Sequence, residues 1–575
     1  MQEPNIKFPY GISNFEKVVE QNFVFVDKTR FIEKLEKDES YSIFLRPRRM
    51  GKSLFVSILE YYYDILEQDK FEKLFSKYYI GQHPTPKANA YRVLKFDFSG
   101  IDTQTEEDTY RYFISKIRFV METFMGKYGL LSDENRRRVS EATSPGEMMG
   151  RFFEVYKLWR EKTRDETPIY IIIDEYDHFT NEILIRNLSE FKRSVSQDGY
   201  IRKFYEAIKI ATQQGFVDRF FITGVSPLTL DGLTSGFNIG SHLTSDEEFH
   251  DMMGFTETEV KGLLDLVLFD KNRAEEIISD LKAWYNGYCF NTDVKDSVFN
   301  SDMVLYFLDK FKYKQSYPKQ MLDPNIMPDY GKIKKLFQVA NINENLEVLK
   351  SILEQGEIST KLIYQFSFEQ PFDKISFTNL LYYLGNLTLK GLNEYGMPVF
   401  VIPNYVIKEL FWQYYAYVLQ ESADLIYDAS KVRDAMLSVA AGDIGPFLLL
   451  VQKLLQAFSN RDYQRFDEKY IKGIIMAYAF QAEFYVVRSE REIANDGYLD
   501  IEFLQHPSLP GRPHQYVIEL KYLKQSDADK LESTMLSAQK QLQSYLEIDA
   551  ELQSLQRLKA IAIVAIKDKL FWEEV

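Results

Sequence analysis

Cysteine is nearly absent from this chain of 575 residues: Cys289 stands alone. A single cysteine rules out an internal disulfide and fits a reducing compartment. Only six histidines accompany it, so no His/Cys cluster of the kind that holds zinc can be assembled. No apolar run reaches the roughly 18 residues that a spanning helix needs. Residues 1–10 lack a basic stretch followed by an apolar one, so no secretory leader is read there. A surplus of positive charge is missing too. Lys and Arg number 70 against 85 Asp and Glu, a net charge of −15. The chain as a whole is therefore not a basic nucleic-acid binder, and any such contact must come from a local patch or a metal site. The expectation is a cytoplasmic protein with no membrane association.

What is present is ordinary globular material. Hydrophobic residues make up 45% and charged residues 27%, enough for sizeable cores and against disorder. No internal repeat or low-complexity tract occurs. At roughly 100–200 residues per domain, the length allows three or four domains.

The first half alternates strand and helix signals. Ser42–Leu45, Tyr91–Phe98, Ile169–Ile173 and Phe220–Thr223 read as strands. A helix is predicted from Lys52 to Leu66, and a helix-rich stretch over 105–163. The unbroken apolar run at Ile169–Ile173 suits a strand buried on both faces of a parallel sheet. Helices alternate with loops from about 255 to 420, with a Pro/Asp/Asn-rich break at Asp323–Tyr330. After 430 come helices, then strands at Tyr498–Leu504 and Gln515–Leu523 joined by the His506–His514 loop. A helix at 525–547 and a last strand at Lys559–Ile566 follow.

Between the first strand and the first long helix lies Arg46-Pro-Arg-Arg-Met-Gly51-Lys52-Ser53. Its second half matches the phosphate-loop pattern G-x-x-x-x-G-K-[ST], while Arg46 stands where the first glycine belongs. Gly51 lets the backbone approach a phosphate at a helix N-terminus. Lys52 brings a point charge to the terminal phosphates, Ser53 offers an oxygen to Mg²⁺, and Arg49 adds positive charge. Taken alone, the segment is equally a basic turn before a helix. The strand Ile171-Ile172-Ile173 then ends in Asp174-Glu175. In a nucleotide-hydrolysis reading Asp174 holds Mg²⁺ and Glu175 activates water as general base. Asp177 is a candidate support. Thr223, at the end of the FFITG strand, is a candidate sensor of the terminal phosphate or a hydroxyl that caps its own turn. Arg219 is one candidate for an arginine finger.

A second constellation lies near the C-terminus. Asp500 sits in a strand, and 18 residues separate it from Glu519 of Glu519-Leu520-Lys521. Residues two apart in a strand share a face, so Glu519 and Lys521 project together. If the two strands pair, Asp500 approaches Glu519, and two such carboxylates suit a hard cation such as Mg²⁺ or Mn²⁺. The lysine would orient water or stabilise charge in the transition state. Alternating charges on a solvated sheet face give the same pattern, and that reading stays open. Three features add to the metal-site reading. Asp496-Gly497 makes a turn just before Asp500. Glu468, in a preceding helical stretch, is a further candidate ligand. Gln541 and Tyr545 lie four apart on one helical face, placed to contact DNA or support the metal site. Arg136-Arg137-Arg138, Trp284–Tyr288, Cys289 and His178 read as structural or solvated.

Several stretches together resemble an AAA-ATPase-like family that pairs its ATPase with a C-terminal PD-(D/E)XK nuclease-like domain. They are FPYGISNFEKVVEQNFVFVDKT (8–29), FLRPRRMGKS (44–53), IIIDEYD (171–177), FITGVSP (221–227), GFNIG (236–240), WYNGYCF (284–290) and YYLGNLTL (382–389). The phosphate loop of that family usually begins with arginine, as here. Met50 replaces the usual phenylalanine. Asp27 and Lys28 border the nucleotide or form a surface turn. Gln541 and Tyr545 resemble the Q-x-x-x-Y motif of one nuclease branch.

The resemblance implies an α/β fold. A P-loop ATPase domain is expected at 1–250, a helical lid and middle region at 251–425, and a PD-(D/E)XK nuclease-like α/β domain at 426–575. It implies ATP and Mg²⁺, with Mn²⁺ as a substitute. It also implies a nucleic-acid partner, DNA first, and leaves a homo-oligomer open. The leading expectation is an ATP-dependent or ATP-gated nuclease. A nucleotide switch whose nuclease-like domain only binds nucleic acid, or a defence or mobile-element module that needs a partner, remains the alternative.

Overall fold

The architecture is that of a computed structural model describing residues 6–38, 40–196, 198–231, 239–325, 333–366, 371–422, 429–457, 467–481, 485–493, 497–509, 511 and 513–575. The chain divides into two compact units. One comprises Met1–Gln315, Lys334–Val348 and Glu357–Asn404; the other comprises Ser316–Ile333, Leu349–Gly356 and Tyr405–Val575. Among the described residues no helix is long and apolar enough to cross a membrane.

The first unit is built on β1 (Tyr41–Leu45), β2 (Arg92–Asp97), β3 (Ile169–Asp174), β4 (Val217–Gly224) and β5 (Ser241–His242). Every pairing is parallel and the order is β2-β3-β4-β1-β5. β4, which ends in Thr223-Gly224, therefore lies between β1 and β3, separating the strand before Arg46 from the strand that carries Asp174. All six residues of β3 are buried, as its continuous apolar run requires of a strand covered on both sides.

Alternation along β2 shows how the covering works. Lys95 pairs with Glu60 of the Lys52–Tyr63 helix at 2.8 Å. Its neighbour Phe96 points the other way, onto Phe204 of the Tyr200–Gln213 helix, ring centroids 5.2 Å apart. Phe98 extends that side against Phe113 of the Glu106–Lys127 helix at 5.2 Å. Each such ring, fully withdrawn from water, contributes roughly 2–3 kcal/mol.

The stretch 105–163 forms three helices, Glu106–Lys127, Asp133–Ser140 and Pro145–Thr163. Thr105, Ser132 and Ser144 cap them, each accepting a backbone N–H three residues on. The middle of the chain is less helical than expected. β6 (Glu357–Ser359), β7 (Thr388–Leu392) and β8 (Pro398–Val401) form an antiparallel sheet in the order β6-β8-β7. A turn closed by Asn393 N–H on the Met397 carbonyl at 2.9 Å joins β7 and β8, with Gly396 in the left-handed region.

The second unit carries β9 (Tyr485–Glu492), β10 (Tyr498–Gln505), β11 (Gln515–Leu523), β12 (Leu558–Ile566) and β13 (Lys569–Glu574), in the order β13-β12-β11-β10-β9. β11 and β12 are parallel; the other neighbours are antiparallel. The Leu531–Ile548 helix crosses between β11 and β12. It buries Met535, Ala538, Leu542 and Tyr545 against Val517, Ala560, Ala562 and Val564. A parallel pair needs such a crossover. The break at 323–330 and the Asp496-Gly497 turn fall partly outside the described residues, as does GFNIG.

Candidate functional site

The first unit gathers its polar residues at the C-terminal ends of β1, β3 and β4. Gly51 caps the Lys52–Tyr63 helix at φ +95°, a conformation that disfavours side-chain-bearing residues. Neighbouring segments hold the loop before it. Ser301 Oγ donates to the Arg49 carbonyl at 3.2 Å, and Gly254 N–H donates to the Met50 carbonyl at 3.0 Å. Gly385, from the YYLGNLTL stretch, abuts Pro47; a Cβ added there would lie 2.7 Å from the Pro47 ring.

Arg46, which stands where the pattern has its first glycine, turns into the protein. It is only 1% exposed. Its guanidinium donates to the carbonyls of Leu45 at 2.9 Å, Thr244 at 2.8 Å, and Phe249 and His250 at 3.2 Å each. Phe44 and Phe290 flank it, 4.1 and 3.9 Å from their ring centroids. Burial brings its pKa down to about 9. Arg46 is thus a bracket beneath the loop. Arg49 lies at the rim, with Nη1 3.4 Å from Asp302.

Lys52 is buried and donates to the carbonyls of Arg46 at 3.0 Å and Pro47 at 2.9 Å. Burial lowers its pKa, while the nearby charges of Glu175 and Asp174 oppose that shift. Ser53 hydrogen-bonds Asp174, whose carboxyl burial raises to about 6. The structure therefore brings Lys52, Ser53, Asp174 and Glu175 together. Burial pushes Glu175 upward as well, but a hydrogen bond with His178 and the charges of Lys52 and Arg48 outweigh it. The result is a carboxylate at about 2. His178 Nδ1 lies 3.5 Å from Glu175 Oε2, so His178 belongs to this centre rather than to the surface. It sits one turn past Glu175 in the sequence, the only signal that could have found it.

Five other residues are committed elsewhere. Thr223 Oγ1 donates to the Phe44 carbonyl at 2.8 Å, tying β4 to β1. Asp177 accepts Val225 N–H at 2.9 Å, Ser226 N–H at 2.6 Å and Asn181 Nδ2 at 2.6 Å. Its role is to fix the loop after β4. Arg219 is buried and donates to the Leu35 carbonyl at 2.6 Å, so it cannot reach into another subunit. Lys28 pairs with Glu259 at 2.7 Å, and Asp27 accepts Thr29 and Tyr79 N–H groups; both are structural.

In the second unit β10 and β11 pair as the spacing requires. Ile501 faces Ile518 and Phe503 faces Tyr516, so Asp500 comes level with Glu519. Leu520 N–H donates to Asp500 Oδ2 at 2.8 Å, and Lys521 Nζ donates to Glu519 Oε1 at 2.6 Å. Glu519 is 1% exposed, and its Oε2 has no hydrogen-bond partner. Burial, followed by the Asp500 charge, raises the Glu519 pKa to about 7. Glu468 opens the Glu468–Ala479 helix; burial raises its pKa, and then the charge of Asp500 does so further. That helix also delivers Lys472, which the motif does not contain: its Nζ lies 3.2 Å from Asp500 Oδ1 and also pairs with Glu490.

A hard divalent cation fits this donor set. Two carboxylates converge, and one buried oxygen lacks a partner, as a ligand atom would. Among the described residues no group of three or more His, Cys, Asp or Glu is arranged around one point. The remaining donors would thus be water and substrate, the usual arrangement for Mg²⁺. Gln541 Nε2 donates to Tyr545 OH at 2.6 Å, and Tyr545, buried in the core, donates to the Tyr498 carbonyl at 3.4 Å. The pair braces the start of β10 and offers no ring to a nucleic acid. Arg136, Arg137 and Arg138 pair with Glu122, Glu141 and Glu134.

A family model described as predicted AAA-ATPase matches residues 9–234, and the model of the PD-(D/E)XK nuclease superfamily matches residues 466–575. The chain carries an AAA-ATPase-like domain and a PD-(D/E)XK nuclease-superfamily domain. The nuclease match spans Glu468, Asp500, Glu519 and Lys521, and the ATPase match spans Lys52 to Thr223. An uncharacterized protein encoded in the vnfD 5′ region of Azotobacter chroococcum mcd 1 is 26% identical over 360 residues; the aligned part covers 62% of this chain and 62% of that protein. A Walker-type ATPase of Pyrococcus abyssi superposes with a TM-score of 0.39 at 10% identity, over 67% of this chain and 94% of that one.

Proposed function

We propose that this protein binds and hydrolyses ATP in its AAA-ATPase-like domain. We further propose that its nuclease-superfamily domain cleaves nucleic-acid phosphodiesters, DNA first, under control of the bound nucleotide. The observation that carries the second part is the meeting of Asp500, Glu519 and Lys521 across β10 and β11, with Glu519 Oε2 buried and unpartnered.

Lys52 and Arg49 would bind the phosphates. Ser53 and Asp174 would hold Mg²⁺. Glu175, kept ionised beside His178, would take the proton of the attacking water. Asp500 and Glu519, with Glu468 at hand, would hold Mg²⁺ or Mn²⁺, and Lys521 would stabilise the charge that gathers on the phosphate. A divalent ion there would act as Lewis acid and lower the pKa of its water. The lone cysteine supports a reducing, cytoplasmic setting. We divide the chain functionally into an ATPase part at 1–250, a lid and middle region at 251–425, and a nuclease part at 426–575.

The test is cleavage of linear, circular and single-stranded DNA with Mg²⁺ or Mn²⁺, without nucleotide and with ATP or ADP. Cleavage is expected to stop in EDTA and in the Asp500→Ala/Glu519→Ala double variant, and its rate to follow nucleotide state. Cleavage that survives EDTA, or a double variant that cuts like wild type, overturns the reading. Rates equal across all nucleotide conditions overturn the coupling alone.

A further inference from the structure

Lys472 is an anomaly in its helix. It is charged, yet it lies in the segment Ile471–Ala479, every residue of which is buried. Burying an ammonium is costly unless acids surround it. Here two acids do: Asp500 Oδ1 at 3.2 Å and the Glu490 carboxylate. Glu468 lies one turn before it in the same helix, on the same face. Glu490 reaches the site from inside β9 with φ +54°, where the Glu490–Asp500 pair is missing from the β9–β10 register. The backbone departs from strand geometry at the residue whose side chain meets Lys472.

Both Asp500 oxygens are thereby held, Oδ2 by Leu520 N–H and Oδ1 by Lys472. Each carboxylate oxygen has two lone pairs, so Asp500 keeps room for one further bond on either oxygen. Glu519 has Oε1 engaged by Lys521 and Oε2 without a partner. Four carboxylates (Glu468, Glu490, Asp500, Glu519) face two ammonium groups (Lys472, Lys521). With the acids ionised, two negative charges remain, which one divalent cation balances.

We propose that Lys472 is a positioning residue that limits this centre to one divalent cation, shared by Asp500 and Glu519. Its ammonium sits on Asp500 Oδ1, and like-charge repulsion would keep a second divalent ion away from that oxygen. The inference rests on the nuclease-domain reading above, and it assigns a role to a lysine outside the D…E-x-K pattern.

The test is a Mn²⁺ titration of the full chain without nucleotide, following free Mn²⁺ by electron paramagnetic resonance. The Asp500→Ala/Glu519→Ala double variant serves as baseline. Wild type is expected to bind one Mn²⁺ above that baseline. Lys472→Met should bind two, the first at least about tenfold more tightly because a nearby positive charge is gone. Lys472→Arg should keep one. Two ions in wild type, or a Lys472→Met isotherm equal to wild type, overturns the inference and leaves the nuclease reading standing. Wild-type and double-variant isotherms that coincide overturn both. If Lys472→Met fails to fold, Lys472→Gln, which keeps a polar end without the charge, takes its place and should likewise bind two; one ion in that variant overturns the inference.

Discussion

Asp177 grips Ser226 twice, accepting its backbone N–H at 2.6 Å and its hydroxyl at 2.9 Å. Val225 N–H and Asn181 Nδ2 complete the shell of this fully buried carboxylate. Gly224 is tailored to it: a Cβ there would lie 2.2 Å from Asp177 Oδ1.

Asp177→Ala leaves those donors buried and unpaired, so it should cost about 3 kcal/mol or more. Denaturant unfolding of the full chain checks this. Asp177→Asn, which keeps one acceptor, should lose less. A change below about 0.5 kcal/mol for Asp177→Ala would show that the loop after β4 holds itself.

At the ATPase centre Lys52→Ala should abolish tight ATP binding, since the phosphates lose their buried point charge. Glu175→Gln should bind ATP as wild type does yet slow turnover by a hundredfold or more, on the order expected for a general base. Equilibrium binding of a fluorescent ATP analogue, alongside phosphate release, separates the two. Wild-type hydrolysis in both variants would remove the assignment.

Lys521 should separate metal binding from cleavage. Lys521→Ala is expected to retain Mn²⁺, because Asp500 and Glu519 remain, while cutting on the order of a hundredfold more slowly. Loss of Mn²⁺ in this variant would mean that the lysine holds Glu519 in place instead of serving the phosphate.

Glu519 also makes a prediction about pH. Its folded-state pKa of about 7 lies above the ordinary carboxylate range because of burial and the neighbouring Asp500 charge. The protonated form is therefore the one that suits the folded chain. That contribution to stability is complete below about pH 4 and is lost as pH rises through 7. In EDTA, Glu519→Gln should match wild type near pH 4.5 and exceed it by roughly 2 kcal/mol at pH 8. Mn²⁺ binding should run the opposite way, weakening about tenfold per unit below pH 7 as protons compete for the carboxylate. A wild-type minus variant difference that is flat with pH would show that Glu519 titrates like an exposed acid.

Much of this was legible from residue order. β1 to β4 announce themselves as apolar runs, and β10 and β11 fall within a residue or two of their expected limits. β9 and β13 do not, for a physical reason. They are the edges of their sheet, and edge strands carry charge; β9 reads Tyr-Val-Val-Arg-Ser-Glu-Arg-Glu with every second residue partly or fully exposed. The β6–β8 sheet was hidden because its strands are three to five residues long. At the candidate sites, motif spacing leads to Lys52 and Asp174, and to Asp500, Glu519 and Lys521, which the fold brings near one another in two clusters. It does not lead to Lys472 or His178, which only the packing places beside Asp500 and Glu175. It also makes Thr223, Asp177 and Tyr545 look chemical, when their polar atoms are engaged by backbone and side-chain groups of the fold itself.

The division of the chain bears on how the molecule is made. Segments of the first unit end at 315, resume at 334–348 and again at 357–404. A ribosome releases residues in order, so strands β1 to β5 emerge long before the last residues their unit requires. Gly385, which seats Pro47 of the loop, comes some 340 positions after it. The nascent first unit must wait, incomplete, for that return stretch. Truncation at 315, the first apparent boundary, would yield a sheet whose loop keeps its Arg46 bracket but lacks the Gly385 contact on Pro47.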